Sequence, residues 1–162
     1  YTHFFPEFQR NIHFLVPLYA NERCLIVQLA LMNSFPNTLG TFLSDKRICF
    51  VGWQIQSKYD ALAKALKRLN NMNAAYEDCV TRSGFKISDL AATVLKNPAL
   101  QKCGSLEKLA SKIGFNIVEE ANPDRIECPE WNALCFSEEE VKFAMYDAYN
   151  CYHMGKKLPS ML

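Results

Sequence analysis

Apolar residues first gather in two short runs, NIHFLVPLYA at 11–20 and RCLIVQLALM at 23–32, joined by Asn21 and Glu22. Runs this close together, with turn-forming residues between them, predict an antiparallel hairpin. From Cys24 to Leu31 the second run is apolar at almost every position, so both faces of that strand are expected to be covered, as in the interior of a sheet. Asn37 is placed to cap a short helix through Leu43, a turn follows at Ser44 to Arg47, and ICFVGWQI at 48–55 is a third strand apolar on both faces. A mixed sheet covered by helices is the economical architecture for such runs.

Residues 59–69, YDALAKALKRL, repeat Leu62, Ala65, Leu66 and Leu69 at helical spacing, with Lys64, Lys67 and Arg68 off that stripe. A short strand is expected at Tyr76 to Thr81. Helices are expected from Ile87 to Leu95, ending before Asn97-Pro98, and from Ser105 to Ile113, with Ser105 as N-cap and Gly114 as stop. The aromatic opening, Tyr1 to Arg10, reads as a loop, and so does Phe115 to Leu134, which holds Pro123, Pro129 and Trp131. The last helix has the best start signal: Ser137 and Glu140 stand at capping-box spacing, Glu138 and Glu139 favour the positive helix end, and Lys156 and Lys157 suit the other. No repeat or linker divides residues 1–162, so a single domain is expected.

Composition narrows the function classes. The chain has 162 residues, 49% of them hydrophobic, which is enough for a core. Its 18 basic and 17 acidic residues leave a formal charge of +1, so bulk attraction to polyanions is absent and any nucleic-acid contact must be local. The seven cysteines contain no CxxC pair, which favours reduced thiols and an intracellular setting, cytoplasmic or nuclear. His3, His13 and His153 have no zinc-ligand spacing. No apolar run approaches the ~20 residues of a membrane span, so no membrane association is expected.

One carboxylate then stands out. In FAMYDAYNCYHMGKKL, residues 143–158, Val141, Ala144, Met145, Ala148 and Tyr152 share a stripe at about 100° per residue, and Asp147 borders it. Phe143 at i−4 and Cys151 at i+4 offer it no cation. A half-buried carboxylate needs solvent, a backbone donor, a cation from another segment, or a metal.

These segments, taken together from about Cys24 to Leu158, resemble the Werner-type branch of the DnaQ-like 3′-5′ exonucleases, closest to its plant members. RCLIVQL, ICFVGWQI, SDLAATVL and GSLEKLASKIG occur in that family's order, and ECPEWNALCFSEEEVKFAMYDAYNCYHMGKKL is the most specific match. The resemblance implies a ribonuclease H-like α/β fold, a mixed sheet flanked by helices. It also implies a two-metal site in which four carboxylates hold Mg or Mn and a tyrosine orients the attacking water. Asp147 matches the last acid. Phe143 stands where the tyrosine belongs, and Lys58 where the second motif has an aspartate. Asp60 is a poor substitute, pointing about 200° from Lys58 on a helix. The family's first motif, Asp-x-Glu on the central strand, is not in the sequence, so that strand lies upstream of Tyr1 or is missing. Its loss would leave neighbouring strands with unpaired backbone groups.

Two function classes follow. In the first, the domain is an active metal-dependent 3′-5′ exonuclease acting on DNA or RNA. In the second, which Lys58 and Phe143 favour, it is a catalytically inactive domain that keeps the fold and binds nucleic acid or protein, with no cofactor. Lys64, Lys67 and Arg68, with Trp53 or Trp131 as stacking surfaces, are its candidate nucleic-acid contacts. Core packing for the tryptophans and simple solvation for the basic residues are the plainer explanations. A protein partner or a homo-oligomer is also open.

Overall fold

The computed structural model describes residues 15–69, 84–118 and 133–161, and within them the chain is mixed α/β. Strands β1, Leu15–Ala20, and β2, Arg23–Gln28, form the antiparallel hairpin. Asn21 and Glu22 turn it with φ of 48° and 62°, both left-handed. A two-residue turn of this hand follows the twist of its strands and sets Ala20 opposite Arg23 and Leu15 opposite Gln28.

The interior position expected for residues 24–31 is not what the structure shows. Leu25 is 57% exposed, and β2 has β1 as its one strand neighbour among the described residues. The strand ends at Gln28, and Leu29, fully buried, lies in the turn beyond it. The apolar run reported burial correctly there, but a turn supplies it.

Helix α1 spans Asn37–Leu43. Asn37 is not its cap: extended Pro36 holds that position without a side-chain bond, and the Asn37 carbonyl accepts from Thr41 Oγ1 at 3.0 Å. Strand β3, Phe50–Gly52, is shorter than the run at 48–55 suggests, because the chain bends at Trp53 and Gln54 and enters helix α2, Ile55–Arg68. Strand β4, Gly84–Lys86, pairs in parallel with β3, Phe50 opposite Gly84. Three residues are too few to show a strand period, so sequence reading missed it. The strand expected at Tyr76 to Thr81 lies outside the described residues, as do Tyr1 to Arg10 and Trp131.

Helix α3 is Ile87–Val94, and a 3₁₀ turn at Pro98–Lys102 follows, capped by Asn97. Helix α4, Leu106–Lys112, begins where Ser105 Oγ accepts the Lys108 N–H at 3.3 Å, and Gly114 leaves it with φ of 62°. Helix α5, Glu138–Lys157, opens with the full capping box: the Glu140 N–H donates to Ser137 Oγ at 3.2 Å, and the Ser137 N–H donates to Glu140 Oε2 at 2.7 Å.

The strands form two separate pairs, β2 with β1 and β3 with β4. Helix α5 packs against both β1 and β3 and so spans the two. One core cluster joins Val16, Val27 and Leu29 to Leu62 and Leu66 of α2, and another joins Ile87, Leu109 and Ala110 to Cys151, Met154 and Leu158.

Candidate functional site: a lysine and an aspartate between the strand pairs

The buried side of α5 runs Ala144, Cys151, Met154 and Leu158. Asp147 falls on this line, with Ala144 one turn before it and Cys151 one turn after. Its own exposure is intermediate, like that of Val141, Met145, Ala148 and Tyr152, so the most buried line of the helix differs from the expected stripe while Asp147 remains half-buried. The reason is that α5 is covered by β1 on one flank and by β3 and α3 on another, so its amphipathic period is blurred.

The cation that Asp147 requires comes from α2. Lys58, in the first turns of that helix, keeps little exposed surface, and its Nζ donates to the Leu15 carbonyl oxygen at 3.1 Å, where β1 begins. Burial raises the Asp147 carboxyl above the usual range, the Lys58 charge pulls it back down, and Glu107 adds a small upward push. Reciprocally, burial lowers the Lys58 ammonium and Asp147 supports it. Each charge thus offsets part of the desolvation cost of the other.

The helix neighbours Phe143, Tyr146, Asn150 and Cys151 are apolar or neutral, and Glu107 of α4 also acts on Asp147. Phe143 packs in a small cluster around Leu15 and Ala144, with Ile26 and Phe136. Burial pushes the Cys151 thiol above its usual range and Asp147 pushes it further, against a bond with the backbone of Trp53. That thiol stays protonated and is a poor nucleophile. Tyr146 donates from its hydroxyl to Glu107 Oε1 at 2.9 Å, linking α5 to α4. The buried amide of Asn150 accepts the Val118 N–H at 3.2 Å and so holds the chain after Gly114 against the helix.

The other candidates scatter. Asp60 is exposed and accepts from Gln56 Nε2 at 3.2 Å, on another side of α2 from Lys58. Arg68 donates to the carbonyls of Leu29, Ala30 and Met32, closing the turn after β2. It is a structural clasp as well as a charge. Lys64 and Lys67 are exposed. Trp53 packs against the core cluster around Ile87, with the Lys86 ammonium 5.6 Å from its ring centre. Among the described residues no group of three or more His, Cys, Asp or Glu side chains is placed to hold a metal ion.

Sequence reading paired neither Lys58 with Asp147 nor Lys58 with Leu15. The usable signal was the orphan carboxylate itself, for which a cation from another segment was one of four expected forms of compensation, beside solvent, a backbone donor and a metal. No family model matches the chain, and no match was found among curated proteins or solved structures.

Proposed function

We propose that the chain is a Werner-type exonuclease-like domain with a ribonuclease H-like fold whose catalytic centre has been replaced by the Lys58–Asp147 charge pair, leaving a binding module for nucleic acid or protein. The observation that carries this reading is the Lys58 ammonium sharing its burial with Asp147. An ammonium compensates a carboxylate electrostatically, yet it has no open coordination position at which to activate water. Its charge also opposes entry of a divalent cation beside Asp147. Phe143 adds support, because its ring sits in an apolar cluster and carries no hydroxyl to orient a water.

A nuclease assay tests this reading. With Mg²⁺ or Mn²⁺, purified protein is expected to leave a 5′-labelled single strand and a recessed duplex at full length. Metal-dependent shortening from the 3′ end that disappears in Asp147→Ala would overturn it.

A further inference from the structure

We draw no further inference here: the strongest candidate, the cluster of partly exposed Tyr19, Tyr149, Tyr152 and His153 rings where the end of β1 meets α5, is an aromatic surface patch, and nothing in the structure shows what covers it.

Discussion

Lys58 of α2 donates to the carbonyl of Leu15, the first residue of β1, and its charge acts on Asp147 of α5, each of the two charges offsetting part of the other's desolvation. Removing one partner strands the other in a poorly solvated place. In a cycle of Asp147→Leu and Lys58→Met, each change leaves the other charge without its electrostatic support, so the two single effects are expected to be non-additive. The double variant should be more stable than the sum of the two single changes implies. Urea unfolding of the four proteins measures the cycle, and additive losses would show that the two charges are independent.

Acid titration should separate two carboxylates of opposite behaviour. The folded form holds the Asp147 proton more tightly than the unfolded chain, chiefly through burial. Between the unfolded value and the raised folded one it binds more protons, so this group makes stability fall as pH rises, and Asp147→Asn should remove that slope. Asp45 behaves in reverse. The Arg47 guanidinium, bonded to it at 2.6 Å and 2.9 Å, lowers its carboxyl to about 2. Stability from Asp45 is present above the unfolded value of 3.8 and is lost as pH falls through about 2. Carboxyl-carbon NMR shifts against pH would read both directions.

Gly84 is needed for space. A Cβ there would overlap the ring and hydroxyl of Tyr59, a buried side chain. Gly84→Ala should cost about 1–3 kcal/mol, and Tyr59→Leu in the same protein should return part of it. Thermal unfolding of the pair checks this. A neutral Gly84→Ala would show that the Tyr59 ring does not pack on Gly84.

Arg68 and Lys64 should part company when replaced. Arg68→Ala removes the donor to three carbonyls after β2 and is expected to lower stability by about 1–3 kcal/mol. Lys64→Ala, on an exposed position, should leave stability unchanged. Denaturation curves and salt-dependent oligonucleotide titrations on both variants would show whether this face binds nucleic acid or only closes a turn.

These particulars show what was legible in the residues. The hairpin, α3, α4 and the capping box of α5 are local: turn residues, caps and periodicity sit within a few positions of each other, and Asn21, Ser105, Gly114, Ser137 and Glu140 act where they stand in the text. β4 and the early start of α2 were hidden, because a three-residue strand has no period and Ile55 reads equally as the end of a strand or the start of a helix. The candidate site was half legible. Asp147 announced a need for compensation by solvent, a backbone donor, a cation or a metal, but that Lys58 acts on it depends on how α2 is laid against α5, and packing of that kind leaves no mark on local sequence. Arg68 shows the same limit from the other side, since its carbonyl partners belong to a turn that the apolar run had suggested was strand.

The central claim, that Lys58 occupies the electrostatic place of a metal beside Asp147, is tested most directly with paramagnetic Mn²⁺. The Asp147 side-chain carboxyl signal should remain sharp as Mn²⁺ is added to the native protein, and its titration should move further upward in Lys58→Met. Selective, saturable broadening of that signal in the native protein would contradict the account, because it would place a divalent cation at Asp147 with Lys58 still present.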